Sequence, residues 1–120
     1  MDFSKDIPLY KQIEEYFYKQ ILNRKWMEGD NLPSVREVAV LMEVNPNTAL
    51  RAFHELQDRE ILFNKRGVGY FVADNAFQKV QSLKKQEFLE VTIPSLFRDM
   101  KLLEISFHDL KELYQSNDSP

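Results

Sequence analysis

Side chains that can hydrogen-bond to nucleic-acid bases are concentrated in VNPNTALRA, residues 44–52. Asn45 and Asn47 can each pair with adenine in two places, and Thr48 can donate to a phosphate or touch the methyl group of thymine. The N-terminus of a helix also attracts phosphate. A plain structural explanation exists as well, because Asn45 is a good N-cap and Pro46 suits the first helical position. The stretch by itself therefore leaves both interpretations open.

Four basic side chains could add contacts to phosphate or guanine: Arg36, Arg51, Lys65 and Arg66. Lys65 and Arg66 begin KRGVG, which lies between the β-branched and aromatic runs ILF and YFV and so predicts a hairpin turn. A basic hairpin tip with two glycines suits insertion along a minor groove or its phosphates. The alternative is that these side chains are ordinary solvated surface. Nucleic acid is favoured by the order of a capped helix, a helix with a polar start and a basic hairpin.

No reaction centre or metal site can be assembled from the sequence. The 120 residues contain no cysteine, which excludes disulfides and thiolate zinc sites. His54 and His108 lie far apart in the sequence, and no nucleophile can be paired with a base. An enzyme is therefore the least favoured class, and neither a cofactor nor a metal is predicted.

The charge of the chain limits how it could bind nucleic acid. The formal net charge is −3, and residues 31–72 hold five basic and five acidic side chains. This balance argues against a nonspecific polyanion binder. Binding to DNA would therefore depend on where the basic side chains are placed.

Two short helices separated by three residues predict a helix-turn-helix. The first follows a capping box, in which Ser34 and Glu37 each satisfy a free backbone donor, and it can continue only to about Met42. The second begins at Pro46. Its inward face consists of Ala49, Ala52, Phe53 and Leu56.

A further helix is predicted near the start of the chain. Asp6 is an acceptable N-cap, Pro8 fits the first turn, and apolar residues recur at every fourth position over about 16 residues. This stripe consists of Leu9, Ile13, Phe17 and Ile21. Three helices followed by a hairpin form a winged helix-turn-helix. The predicted fold class is therefore mainly α with a small β-hairpin, followed by a short helical dimerisation region.

The last third of the chain has the apolar period of a helix seam that needs a partner surface, with spacings that alternate between four and three. Pro94 must either start a new helix or kink a continuing one, and Ser106 is predicted to cap a last short helix. The seam consists of Leu89, Ile93, Leu96, Met100, Leu103, Phe107, Leu110 and Tyr114.

Dimerisation through this seam is favoured, because burying eight sizeable side chains requires an extensive surface. Two copies would also double the phosphate contacts and match a two-fold operator. The alternative is that the last helices fold back over the winged domain of the same chain. We predict a DNA-binding domain over residues 1–73, a helical dimerisation region over 74–116 and a frayed C-terminus over 117–120.

The stretches LPSVREVA, VNPNTALRAFHELQDREIL and KRGVGYFV resemble the GntR family of bacterial transcription regulators, in the family's order and spacing. With the preceding IPLYKQIEEYF, the resemblance covers residues 7–73. The VNPNT variant and the short tail are similar to the YtrA-like subgroup, whose helical C-terminal region forms the dimer. Members of that subgroup usually repress operons that include ABC transporters.

The resemblance implies functional residues on three elements. Pro46 and Leu50 stand where many family members carry arginines that help to read bases, so operators of other branches cannot be transferred to this chain. The implied residues are Ser34 and Arg36 at the second helix, Asn45, Asn47, Thr48 and Arg51 at the recognition helix, and Lys65, Arg66 and Gly67 in the wing.

The sequence thus predicts a homodimeric DNA-binding repressor. Its partners would be double-stranded DNA with a two-fold operator, a second copy of itself, and a small-molecule effector whose existence and identity stay open. The sequence contains no run of eighteen apolar residues, so a cytoplasmic location without membrane contact is expected. The rival hypothesis is a winged-helix protein-interaction module without DNA binding. A joint basic face would favour DNA, and acidic interruption of that face would favour the rival.

Overall fold

The computed structural model describes residues 7–117. These residues form two compact units, one ending at Ser82 and the other beginning at Leu83. No helix in the described range is long and apolar enough to cross a membrane. The elements in chain order are α1 (Leu9–Leu22), α2 (Val35–Met42), α3 (Pro46–Asp58), β1 (Leu62–Lys65), β2 (Gly69–Val72), α4 (Ala76–Glu87), a π-helical turn (Phe88–Thr92), α5 (Ile93–Leu102) and α6 (Phe107–Asn117).

The first helix is slightly shorter than predicted. It begins directly after Pro8, whereas the predicted cap Asp6 lies outside the described residues. Ile13, Phe17 and Ile21 are almost fully buried, but Leu9 is 54% exposed. Leu9 occupies the first helical position, at the edge of the core, so the apolar stripe contributes three side chains to the core rather than four.

The core of the first unit lies where α1 and α2 pack against α3. The predicted inward face of α3 is confirmed, because Ala49, Ala52, Phe53 and Leu56 are all fully buried. The ring of Phe53 meets that of Phe17 edge-on with centroids 5.2 Å apart. Such fully buried aromatic pairs fix the position of α3 relative to α1.

The predicted hairpin is confirmed as an antiparallel pair of strands, with Leu62 opposite Val72 and Lys65 opposite Gly69. Leu62 and Val72 point into the core, each 1% exposed. On the other face, the rings of Phe63 and Phe71 stack with centroids 5.4 Å apart. The hairpin is thus anchored at its open end, and its turn is left in solvent.

The helix α4 adds buried side chains to the same core, a contribution that the sequence analysis did not predict. Ala76 and Val80 are fully buried, and Phe77 packs against the core from its surface. The ammonium of Lys79 also donates to the backbone carbonyl of Glu60, with a distance of 2.9 Å.

The second unit is interrupted twice, at the two places that Pro94 and Ser106 indicated. The π-helical turn leads directly into α5, with Pro94 in the first turn of that helix and the flanking residues in α-helical conformation. A wider π turn accommodates a proline that would clash with the preceding turn of a regular helix. The chain then leaves the helix at Leu103 and enters α6 through the predicted Ser106 cap, whose Oγ accepts from the N–H of Asp109 at 3.1 Å.

The eight predicted seam residues differ widely in exposure, also within a single helix. Met100 is buried, and Ile93, Leu96 and Leu110 are half-buried. The exposed group is formed by Leu89, Leu103, Phe107 and Tyr114, which are 54%, 68%, 72% and 76% exposed. Single exposed apolar side chains are common on protein surfaces, whereas a large contiguous patch of them marks an interaction site.

Candidate nucleic-acid interface

The N-terminus of α3 is capped as predicted. The side-chain oxygen of Asn45 accepts from the backbone N–H of Asn47 at 2.8 Å, and Pro46 follows at the first helical position. Asn45, Pro46 and Asn47 are exposed, and Thr48 is half-buried. Because its oxygen is occupied by the cap, Asn45 retains its amide N–H groups for a contact with phosphate. Asn47 is exposed and its carboxamide carries both a donor and an acceptor.

A capping box shapes the start of α2, also as predicted. Ser34 Oγ accepts from the N–H of Glu37, and Glu37 Oε1 accepts from the N–H of Ser34, both at 3.1 Å. The Glu37 carboxylate is therefore held against its own helix end. Arg36 lies between these two residues and is exposed. Arg36 thus adds a positive charge to the first turn of α2, whose N-terminus itself favours anions.

The turn between α2 and α3 has a defined geometry. Glu43 adopts a left-handed conformation with φ of 56°, and the following residue, Val44, donates its N–H to Ala39 O at 2.9 Å. The half-buried Val44 side chain packs against the core. These contacts fix the angle between the two helices and so the direction in which the start of α3 points.

Arg51 lies one turn into α3 and is held from two sides. Its guanidinium carbon is 3.7 Å from the centroid of the Tyr10 ring on α1, and its Nε is 3.6 Å from Oε1 of Glu55. The side chain is still 60% exposed. Lys11 Nζ lies 5.9 Å from the same ring. The cations of Arg51, on α3, and of Lys11, on α1, therefore both lie near the ring of Tyr10.

The hairpin turn presents its basic residues to solvent. Lys65, Arg66 and Gly67 are all exposed, and the N–H of Val68 donates to Lys65 O at 2.9 Å to close the turn. Gly67 has φ of 78°, a conformation that favours glycine, while a Cβ at this position would meet no atom within 4 Å. The glycine therefore serves the turn conformation, and the space around it is open to a ligand.

An ion-pair network joins α3 to α1 behind this surface. Arg59 Nη1 donates to Glu14 Oε1 at 2.6 Å and to the hydroxyl of Tyr18 at 2.9 Å, while its Nη2 lies 3.5 Å from Glu55 Oε2. Glu14 is 4% exposed, and its Oε2 is buried without a partner among the described residues. Glu55 is thus shared between Arg51 and Arg59.

The pKa values in this network follow from burial and charge. Burial raises the pKa of Glu14 and its neighbour Glu55 adds to the rise, whereas Arg59 opposes it. The pKa of Glu55 is lowered, most of all by a hydrogen bond with Glu14 and further by the charges of Arg59 and Arg51, while burial opposes the shift. Burial raises the pKa of Tyr18 to about 12. Glu55 therefore remains ionised at neutral pH and keeps its hold on Arg51.

Two carboxylates near the candidate interface have partners, whereas the exposed Glu43 lies in the turn between α2 and α3. Glu37 caps α2, and Glu55 pairs with two arginines. Arg36, Lys65 and Arg66 are exposed, and Arg51 keeps most of its side chain in solvent. This arrangement favours a polyanionic ligand over the rival protein-docking surface.

Sequence reasoning missed Tyr10 and Lys11. Tyr10 lies 41 residues before Arg51, and no local pattern connects the two positions. The signal was present only in the resemblance, since IPLYKQIEEYF belonged to the matching stretches without a role being given to any of its residues.

Comparison with known proteins identifies relatives over almost the whole chain. The family model described as bacterial regulatory proteins, gntR family, matches residues 9–72. The HTH-type transcriptional repressor YtrA of Bacillus subtilis is 30% identical over 119 residues, which cover 96% of this chain and 85% of the relative.

Two solved structures resemble the described fold. A GntR family transcriptional regulator from Listeria monocytogenes matches with a TM-score of 0.77 at 30% identity, over 98% of this chain and all of the other. The DNA-binding domain of AraR in complex with operator ORR3 matches with a TM-score of 0.54 at 27% identity, over 56% of this chain and 81% of that domain chain.

Proposed function

This chain belongs to the gntR family of bacterial regulatory proteins, and we propose that it is a homodimeric repressor that places two copies of α3 in successive major grooves of a two-fold operator. Family membership makes it a transcription regulator with a DNA-binding helix-turn-helix, not an enzyme. The repressor activity, the dimer and the operator are the proposed parts.

The observation that carries the proposal is the exposed, polar start of α3, with the largely exposed Arg51 one turn further along the same helix. Asn47 and Arg51 have hydrogen-bonding groups in solvent on the element that a helix-turn-helix inserts into the major groove. The capped N-terminus adds the positive end of the helix dipole. The AraR domain, which shares this winged fold, was solved on its operator.

We assign the contacts by chemistry and position. Side chains of α3 that can reach base edges are Asn47, Thr48 and Arg51. Side chains at helix starts suit phosphates, because phosphate contacts set the register of the protein on the duplex; these are Ser34, Arg36 and Asn45. The wing contributes Lys65, Arg66 and Gly67 to the minor groove or its phosphates.

The exposed apolar residues of the second unit support a dimer. Leu89, Leu103, Phe107 and Tyr114 are each more than half exposed. Covering such side chains is worth about 1.5–3 kcal/mol each before entropy costs. A second copy of the same helices would cover them, since a two-fold interface buries the same patch on both subunits.

Repression is proposed from the relative named as a transcriptional repressor, YtrA, which aligns over 96% of this chain. Binding across a promoter would block transcription without a separate effector domain. The YtrA-like resemblance extends the proposal to an operon that encodes an ABC transporter. A small-molecule effector stays a prediction, and its identity is open.

The proposal is tested by electrophoretic mobility shift with duplex fragments from the protein's own upstream region. We expect saturable binding to one fragment that weakens as salt is raised, because basic residues displace counterions from phosphates. If no fragment of this region is bound at low salt, while the protein is folded, the repressor proposal fails and the protein-interaction module becomes the better explanation.

Removing single arginines should weaken operator binding without unfolding the protein. We expect Arg36→Ala and Arg51→Ala each to cost about 1–3 kcal/mol of binding free energy. Arg51→Ala should also relax base preference at one position, whereas Arg36→Ala should weaken all sequences alike. Fluorescence anisotropy on operator and mutated operator separates the two effects, and unchanged affinity in both variants would remove these residues from the interface.

Removing the wing cations should change the salt dependence of binding. For Lys65→Ala with Arg66→Ala, the slope of log affinity against log salt should become shallower by roughly 0.9 for each phosphate that the wing no longer neutralises. The double variant Lys19→Ala with Lys25→Ala is a matched control, because it removes the same charge from exposed positions outside the proposed interface. Equal slopes for both double variants would show that the wing acts only through net charge.

A further inference from the structure

The ring of Tyr10 forms a platform under the guanidinium of Arg51. The 3.7 Å distance from guanidinium carbon to ring centroid is well inside the range of about 6 Å in which a cation is attracted to an aromatic face. Arginine is planar, and its N–H bonds lie in the plane of the group. A ring against one face therefore leaves the N–H donors at the edges able to reach DNA.

The platform is itself fixed. Tyr10 is half-buried in the first turn of α1 and packs against the core of the first unit. Glu55 holds the Nε side of Arg51 from the following turn of α3, with 3.6 Å between Nε and Oε1. The Tyr10 ring thus restricts the tilt of the guanidinium plane, and Glu55 restricts rotation of the group within that plane.

We infer that Tyr10 is a positioning residue for DNA recognition, which holds the guanidinium of Arg51 in the orientation used for base contact. This inference rests on the proposed DNA-binding function. A flexible arginine loses rotational freedom when it binds, and holding it in advance reduces that loss. Tyr10 acts through Arg51 and needs no DNA contact of its own.

The inference predicts a loss of affinity that depends on Arg51. Tyr10→Leu removes the aromatic face and should weaken operator binding roughly 3- to 10-fold, the range expected for a partly exposed cation on a ring. Tyr10→Phe keeps the face and should stay within about twofold of the parent protein. In the Arg51→Ala background, Tyr10→Leu should cause no further loss, because the positioned group is already gone.

A matched control separates positioning from stability. Tyr16 is another half-buried tyrosine of α1, but its ring packs on Trp26 and Phe17. Tyr16→Leu makes the same chemical change on the same helix. Its effect on affinity should be the same in the parent protein as in the Arg51→Ala background, whereas the effect of Tyr10→Leu should differ between the two.

The geometry can also be tested without DNA. In nuclear magnetic resonance spectra of the free protein, the ring should shift the side-chain proton signals of Arg51 upfield. The shift should persist in Tyr10→Phe and Tyr16→Leu and disappear in Tyr10→Leu.

The outcomes distinguish this inference from the proposed function. If the parent protein binds no upstream fragment, the proposed function fails, and the spectra still decide whether the platform exists. If it binds, but Tyr10→Leu and Arg51→Ala weaken binding additively, or if Arg51 shows no ring-dependent shift, the positioning role of Tyr10 is overturned.

Discussion

Phe107→Asp is expected to dissociate the proposed dimer and to weaken operator binding by roughly 100-fold or more. The side chain is 72% exposed in the described chain and belongs to the predicted dimer seam. In a two-fold dimer the change occurs twice, and losing about 1.5–3 kcal/mol at each copy amounts to about 3–6 kcal/mol. Since every 1.4 kcal/mol is about tenfold, the dimer constant should change by at least about two orders of magnitude.

The substitution should leave the protomer folded. Phe107 is the first residue of α6, and an acidic side chain there interacts favourably with the helix N-terminus, as Asp109 already does. Sedimentation equilibrium over a range of concentrations measures the assembly, and circular dichroism checks the helices. Val40→Asp is the control for assembly alone, because Val40 is 79% exposed on α2, outside the predicted seam. A Phe107→Asp protein that remains as dimeric as the parent would contradict the seam.

The features of the interface that were predicted from the sequence each depend on residues only a few positions apart. The capping box of Ser34 and Glu37 and the cap at Asn45 each depend on groups two or three positions apart. The inward face of α3 follows from helical periodicity, because a side chain's direction is fixed by its position in the turn. Such features depend on residues close together in the sequence, so they could be predicted without knowledge of the packing between distant segments.

The parts that were missed depend on contacts between distant segments. The Tyr10 platform joins residues 41 positions apart, and the pair of Glu14 with Arg59 spans 45 positions. Nothing in either local sequence indicates its partner. In the same way, the spacing of Ala76 and Val80 permits a helix, but only the packed core shows that α4 belongs to it.

The tail shows a different limit of periodicity. Alternating spacings of three and four give one straight apolar face only along an uninterrupted helix, and Pro94 and Ser106 already predicted interruptions. The π-helical turn before Pro94 and the break from Leu103 to Ser106 each rotate the following residues away from that face. Met100 is buried while Leu103, three residues later at the end of the same helix, is 68% exposed, so the spacing alone does not predict which seam positions are covered. The assignment of all eight residues to a dimer interface therefore stays a prediction.

Arg59→Met is expected to lower the free energy of unfolding by about 2–3 kcal/mol at neutral pH. Breaking a buried ion pair by removing one partner typically costs about 3–5 kcal/mol, and the figure is reduced here because the Arg59 side chain is 37% exposed. Methionine keeps the length and much of the volume of the side chain. The loss therefore comes from leaving the Glu14 carboxylate, only 4% exposed, without its cation.

The size of this loss should depend on pH in a defined direction. Burial already raises the pKa of Glu14 above its ordinary value of 4.5, and removing Arg59 removes an influence that opposes the rise. When the pKa of a carboxyl group is higher in the folded than in the unfolded state, the folded state loses stability only at pH values at which the unfolded state is ionised. The penalty is absent below about pH 4.5, appears as pH rises through the interval up to the raised pKa, and is complete above it. The difference in the free energy of unfolding between Arg59→Met and the parent protein should therefore shrink as the pH is lowered through that interval.

Glu14→Gln supplies the decisive comparison for this network. A neutral amide needs no cation, so adding Glu14→Gln to Arg59→Met should recover part of the lost stability and remove the pH dependence of the remainder. Urea denaturation of the four proteins at one protein concentration, at neutral and acidic pH, measures both effects. If Arg59→Met is equally destabilised at both pH values, or if Glu14→Gln gives no recovery, the charge of Glu14 is not what Arg59 stabilises. Because Glu55 is shared between Arg59 and Arg51, a confirmed result would also connect the stability of the α1 and α3 pair to the residue proposed to read the operator.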